Sequence, residues 1–317
     1  MIHTVMKRRL VFVTGKGGVG KTATVLALAV AAARQKRRVL VVEVSPFGRV
    51  AEYLDTDPLT PEPQEVAPGV AAASIDPDLI LESFLTGLLR VRRLARRLLE
   101  SDTFRVITTA APGLQDFLTL LRIAEWEGAR TGIRRRRFDL VIVDAPATGH
   151  SVPLLGTPRS LLKMLPVGPL AGSARALALL LDDPERTAVT LVTRPEEMAV
   201  NETLQLATEL MKLGVTLVPP VVNAVPQLRF TRDEARRLRA DPPIIPPNLG
   251  PYVAAGRFSL ARQQAAERQV RRLGRALGDR PFLLPEVATH PFGAPAIEQL
   301  ADAFSGSGRW NSGRQAS

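Results

Sequence analysis

The stretch Gly15-Lys16-Gly17-Gly18-Val19-Gly20-Lys21-Thr22 constrains the fold more than any other part of this 317-residue chain. It follows a short apolar run, Leu10-Val11-Phe12-Val13, and opens an alanine-rich stretch of helical character, Lys21 to Ala33. Strand, glycine-rich loop and helix in that order fit the G-x-x-x-x-G-K-[ST] phosphate-binding pattern in the context it requires. The glycines let the backbone bend so that successive N–H groups point at an anion, and the helix N-terminus adds the positive end of its dipole. Lys21 is then placed to neutralise phosphate charge and the Thr22 hydroxyl to hold Mg2+. Gly15, Lys16, Gly17, Gly18, Val19, Gly20, Lys21, Thr22 and Ala23 are the expected nucleotide-binding residues.

The rest of the chain repeats the same alternation. Val39 to Val42 reads as a second buried strand after the basic turn Arg34 to Arg38, completing a β-α-β unit with a right-handed crossover. Leu140 to Val143 is a third, ending in Asp144-Ala145-Pro146, and two more are expected at Ala188 to Val192 and Thr216 to Asn223. Short, β-branched, wholly apolar strands alternating with helices imply an α/β P-loop fold, a mostly parallel sheet with helices on both faces. Between Phe47 and Phe138 the rhythm breaks. Residues 55–69 are rich in Pro and acid and read as loop. Ile80 to Glu100 and Leu114 to Trp126 carry apolar residues at helical spacing. The expected organisation is a core over 8–304 with a helical subdomain inserted at 76–130, and a disordered tail at 305–317.

The second lysine of the loop, Lys16, gives the form G-K-G-G-V-G-K-T, which resembles the deviant Walker A of the MinD/ParA/ArsA group of ATPases. That resemblance implies ATP as the nucleotide and a homodimer in which Lys16 reaches the nucleotide held by the other subunit. Asp139 to Ser151, with Asp144-Ala-Pro-Ala-Thr-Gly-His150, resembles the switch II segment of the arsenite-pump ATPase and of the ATPase that targets tail-anchored proteins. An apolar strand there delivers Asp144 to its carboxyl end, where it joins Thr22 as a magnesium ligand. Thr193-Arg-Pro-Glu-Glu-Met-Ala-Val-Asn-Glu-Thr203, Ala111-Pro-Gly-Leu-Gln115, Val221-Val222-Asn223 and Pro281 to Glu286 resemble further segments of ArsA-like ATPases. They imply that Asn223 and Pro281 contact adenine, and the likeness runs from residue 8 to about 304.

Two departures bear on function. Where the family's second strand ends in D-P-A, with the aspartate assigned to water activation, this chain has Ser45-Pro46-Phe47. Serine has no carboxylate to act as a general base near neutral pH, and Glu43, two residues earlier, shares its side-chain direction on an extended strand. Glu43 is therefore either a substitute base or a strand-end acid paired with Lys21 or the magnesium shell, and hydrolysis is expected to be slow. The catalytic set is Lys16, Lys21, Asp144 and Glu43. The chain also has no cysteine, which excludes arsenite bound through thiolates and a dimer zinc held by a C-x-x-C pair.

Charge leaves several partners open. Six Lys and 36 Arg against 31 acids give +11, which favours anionic partners. One reading is a nucleotide-switched dimer acting on a protein client, with Leu81, Phe84, Leu85, Leu88 and Leu89 of the inserted region lining a groove. Another is a ParA- or MinD-like positioning ATPase on DNA or a membrane surface, using the runs Arg34 to Arg38, Arg90 to Arg97, Arg134 to Arg137 and Arg268 to Arg275. A third is a pseudo-ATPase that binds nucleotide without turning it over. No run approaches the ~18 apolar residues of a membrane span, and a cytoplasmic location is the default expectation.

Overall fold

The computed structural model describes residues 2–44, 48–80, 111–131, 135–146, 148–167, 169–227, 230–240, 246 and 248–305. Strands β1 (Leu10–Thr14), β2 (Val39–Val44), β7 (Leu140–Asp144) and β8 (Thr187–Thr193) are buried at every position. A strand whose every residue is apolar or shielded needs cover on both faces, which a parallel sheet with crossover helices supplies. They form the centre of an eight-stranded sheet completed by β3 (Gln64–Ala67), β4 (Val70–Ile75), β9 (Val221–Val225) and β10 (Phe282–Pro285), in the order β10-β9-β8-β1-β7-β2-β4-β3. Every neighbouring pair is parallel except β3 with β4. A separate hairpin pairs β5 (Arg130–Thr131) with β6 (Arg135–Arg136).

Alternation along β1 divides the core in two. Val11 and Val13 face α2 (Lys21–Arg34) and α10 (Ala294–Ser305), in a cluster with Val41, Ile142 and Ile297. Leu10 and Phe12 face the other side, where α4 (Ala111–Gly128), α5 (Thr148–Met164), α6 (Pro169–Asp182) and α7 (Glu197–Lys212) contribute Phe117, Leu155, Leu177 and Leu206. Helix α2 has ten consecutive buried residues, Ala23 to Ala32, because it lies between the sheet and α10. A helix apolar on all sides is stable only in such a position. Arg34 in its last turn pairs with Glu298 and, at 2.8 Å, with Asp302 of α10. The remaining helices are α1 (Ile2–Met6), α3 (Val50–Leu54), α8 (Arg232–Arg239) and α9 (Gly250–Leu277).

The structure departs from the sequence reading at two places. Residues 64–67 and 70–75, the first inside the expected loop and the second beyond it, form β3 and β4. The expected strand from Thr216 begins only at Val221, since Pro219 and Pro220 have no N–H to donate to a ladder, and Leu217 makes an isolated bridge to Val189. Within the expected insertion, α4 lays its apolar stripe, Phe117, Leu120, Ile123 and Trp126, against the sheet. Leu81, Phe84, Leu85, Leu88, Leu89 and the run Arg90 to Arg97 lie outside the described residues, as do Ser45, Pro46 and Phe47 and the chain from residue 306.

Candidate nucleotide-binding site

The loop after β1 emerges at the carboxyl edge of the sheet, where open α/β sheets bind ligands. Its course is set by two close approaches. A Cβ on Gly15 would stand 2.2 Å from the Val192 carbonyl oxygen at the end of β8, a backbone atom that cannot swing away. Gly20 has φ 88°, and a Cβ there would meet Asn223 Nδ2 at 2.2 Å. Asn223 Nδ2 donates to the Val19 carbonyl at 2.9 Å, so β9 clamps the loop from outside. Helix α2 starts at Lys21, directly after the turn.

Asp144 ends β7, next to β1, and Glu43 lies opposite it on β2 in the same register. Thr22 Oγ1 donates to Asp144 Oδ2 at 2.6 Å, joining the first turn of α2 to the strand end. Asp144 Oδ1 is buried without a partner. Burial pushes the Asp144 carboxyl up to about 6, opposed by the Thr22 hydrogen bond and the Lys21 charge. Glu43 is 2% exposed; burial pushes its carboxyl up to about 7, with the neighbouring Asp144 charge adding to the rise. Its Oε1 accepts from the backbone N–H of Arg49 at 2.7 Å and of Val50 at 3.4 Å, while Oε2 has no partner. Glu43 thus ties down the chain that follows residues 45–47, and its bonds go to backbone rather than to Lys21.

Lys21 Nζ donates to the Lys16 carbonyl at 3.2 Å, across its own loop. Burial lowers its pKa, against the pull of Asp144. A partly desolvated ammonium beside one carboxylate with an unpartnered oxygen leaves room for further charge, and a magnesium ion with a polyphosphate fits there. Thr22 and Asp144 fit a magnesium ion by donor type and by the orphaned Oδ1. Lys16 points elsewhere: its ammonium pairs with Glu202 on α7.

Beside the loop is a cavity of about 340 Å³ lined by Gly18, Val19, Gly20, Ala23 and Asn223, closed by Tyr53, Arg194, Pro285 and Phe292. Tyr53 and Phe292 meet edge to face, ring centroids 5.3 Å apart. Pro281 is not at this cavity. It precedes β10 at the amino end of the strand, packed against Gly274, and the proline at the carboxyl end, Pro285, lines the site. Arg194 and Glu202 fall inside a quoted motif segment without having been singled out, whereas Tyr53 and Phe292 come from separate parts of the chain and carry no local signal. His150 is exposed on the first turn of α5 and faces Asp116 of α4, whose carboxyl burial raises to about 6.

Fold and loop together define a P-loop protein of the nucleoside-triphosphate-binding kind. The profile of the family described as anion-transporting ATPase matches residues 8–171 and 171–235, and the chain belongs to that family. ATPase BagA of Mycobacterium tuberculosis (strain ATCC 25618 / H37Rv) is 30% identical over 220 residues, covering 68% of this chain and 64% of BagA. The arsenical pump-driving ATPase of Acidiphilium multivorum is 32% identical over 231 residues, 68% of this chain and 39% of that protein. One from Escherichia coli is 30% identical over 237 residues, with the same coverage. The chain therefore spans less than two thirds of the length of these relatives. Among the described residues, no helix is long and apolar enough to cross a membrane.

Proposed function

We propose that this chain binds Mg-ATP and hydrolyses it slowly, as a nucleotide-switched homodimer that acts on a protein client in the cytoplasm. The observation that carries the nucleotide part is the contact of Thr22 with Asp144 across α2 and β7, with a buried orphan oxygen beside Lys21. The loop N–H groups and Lys21 hold the phosphates, and Asn223 with the Tyr53, Arg194 and Phe292 wall holds the base. When bound, magnesium neutralises charge on the phosphates. Glu43 fixes the position of the segment after β2, and Ser45 leaves that segment without the usual base, which is the ground for slow turnover.

The client reading rests on the inserted region of the family. The apolar stripe of α4 is spent on the sheet, so that stripe lines no groove. DNA or membrane positioning gains nothing from Arg34 and Arg38, which are consumed in ion pairs with Glu298, Asp302 and Asp139. A steady-state phosphate-release assay tests the core of the proposal. Turnover is expected in wild type and absent in Lys21→Ala, and ATP binding without turnover in both would leave only the pseudo-ATPase. A gain in rate for Ser45→Asp supports the switch argument, and unchanged turnover in Glu43→Gln assigns Glu43 to positioning.

A further inference from the structure

A cleft of about 660 Å³ opens between the last turns of α9 and the start of β10. The parallel topology puts it away from the phosphate loop: α9 delivers the chain to the amino end of β10, whereas the loop leaves the carboxyl end of β1. Gly274 lets the helix come this close, since a Cβ there would stand 3.0 Å from Pro281 Cδ and 3.2 Å from the Asp279 carbonyl oxygen. The inner wall is apolar, with half-buried Val270 and Leu283 and buried Pro281. The rim carries three arginines and two carboxylates: Arg271 and Arg275 come from successive turns of α9, which also supplies Glu267, and Arg280 comes with Asp279 from the turn beyond it. A second hollow of about 480 Å³ on the same helix shares Arg271 and Arg275 and adds Arg268 and Arg272.

Nine of the described arginines elsewhere in the fold pair with a carboxylate, whereas of the five around this cleft only Arg271 does. Arg271 reaches Glu267 at 3.6 Å and Arg272 donates to Asn201 at 2.6 Å. Asp279 accepts from the backbone N–H of Arg280, not from its guanidinium. Arg268, Arg275 and Arg280 have no side-chain partner among the described residues. Three guanidiniums against two carboxylates leave the cleft with excess positive charge, carried by the unpaired Arg275 and Arg280, and an anion between those two removes their repulsion. The planar fork of arginine suits the several oxygens of a phosphate, which can accept two parallel N–H bonds from one guanidinium. The apolar wall adds a second requirement, hydrocarbon attached to the anion. None of the lining residues is aromatic, so stacking of nucleic-acid bases has no platform here.

We infer that this cleft is a binding site for a phosphate ester with an apolar substituent, the phosphate on Arg275 and Arg280 and the substituent against Val270 and Leu283. A soluble organic phosphate and a phospholipid head group share this chemistry. The inference is independent of the proposed ATPase activity, because the cleft shares no residue with the nucleotide cavity.

Calorimetric titration with hexyl phosphate, in saturating Mg-ADP so that the phosphate loop is filled, tests it. Hexyl phosphate is expected to bind more tightly than inorganic phosphate. Arg275→Ala and Arg280→Ala should each weaken it about tenfold, as loss of one charge-assisted hydrogen bond implies. Arg236→Ala, on exposed α8, should leave binding unchanged, and all three variants should keep the wild-type melting temperature. No binding of hexyl phosphate overturns the site. So does equal affinity for inorganic phosphate, or an equal loss in Arg236→Ala, which would mark a diffuse basic surface. Co-sedimentation with phosphatidylglycerol vesicles but not phosphatidylcholine vesicles, lost in Arg275→Ala, identifies the head group as the source. Hexyl phosphate binding without sedimentation identifies a soluble ester. Retention on duplex DNA that the same variants abolish, with hexyl phosphate binding no better than phosphate, replaces the site by a nucleic-acid surface.

Discussion

Asp144 and Glu43 sit side by side at the ends of β7 and β2, and burial raises both carboxyls above their ordinary values, to about 6 and about 7. The folded chain therefore binds more protons than the unfolded chain between roughly pH 4 and 7, and stability falls as pH rises through that window. A shift of about 2 units is worth ~3 kcal/mol per isolated group, so the pair makes a loss of a few kcal/mol in the nucleotide-free protein. Melting temperature measured from pH 5 to pH 8 should fall with pH, and Mg-ADP should remove most of the dependence by supplying counter-charge. A flat profile without nucleotide would mean that the carboxylates are better solvated than their burial implies. Thr22→Val tests the same cluster from the other side. It takes the hydroxyl from Asp144 Oδ2, leaving a second orphaned oxygen at a cost of ~1–3 kcal/mol, and removes a proposed magnesium ligand. Phosphate release should fall at least tenfold, with the deficit insensitive to added magnesium if Thr22 acts through position rather than affinity.

The loop between β1 and α2 shows why the sequence reading succeeded where it did. Its glycines answer local demands: Gly15 has a backbone oxygen where its Cβ would be, and Gly20 an amide. Gly15→Ala should abolish nucleotide binding and lower the melting temperature by several degrees, because Val192 cannot retreat without breaking β8. Gly17→Ala has open space around the new methyl and should change stability by no more than ~0.5 kcal/mol, and differential scanning fluorimetry on the two variants separates these outcomes. Residues whose place depends on local chemistry are legible, as the loop and Asp144 at a strand end show, whereas Asn223, expected to close its strand, stands in the middle of β9. Residues placed by the return of distant chain are not legible. Tyr53 and Phe292 meet only after the sheet has brought α3 beside the chain that follows β10. Strand β4, Val-Ala-Ala-Ala-Ser-Ile, has little intrinsic β-propensity and exists because β2 and β3 offer it a ladder on either side. Pro281 stands at the end of β10 away from the cavity, and for a related reason the sequence does not show it. The sequence shows that a strand-like segment bears two prolines, but only the parallel register with β9 decides which of them stands at the carboxyl end.

At the scale of the whole molecule, the proposed dimer calls on a Lys16 that is already engaged within the protomer. Lys16 pairs with Glu202 of α7 in the same chain, both side chains part-exposed, at 44% and 33%. Such a pair holds about 0–1 kcal/mol, too little to resist the charge of a polyphosphate but enough to bias the lysine when nucleotide is absent. Release of Lys16 is then a cost subtracted from dimerisation, and Glu202→Gln removes it. Sedimentation equilibrium with Mg-ATP, in an Asp144→Asn background that blocks turnover, should show the dimer of Glu202→Gln tighter by up to about thirtyfold, since each dimer releases two such pairs. Lys16→Ala should remove the dependence of assembly on nucleotide while leaving ATP binding in place, since Lys21 and the loop N–H groups remain. Weaker assembly in Glu202→Gln would show instead that Glu202 belongs to the dimer contact, holding Lys16 toward the partner rather than away from it. A chain that stays monomeric with and without ATP would remove the cross-subunit role of Lys16 altogether, leaving a switch that works inside a single protomer through Glu43 and the segment it anchors.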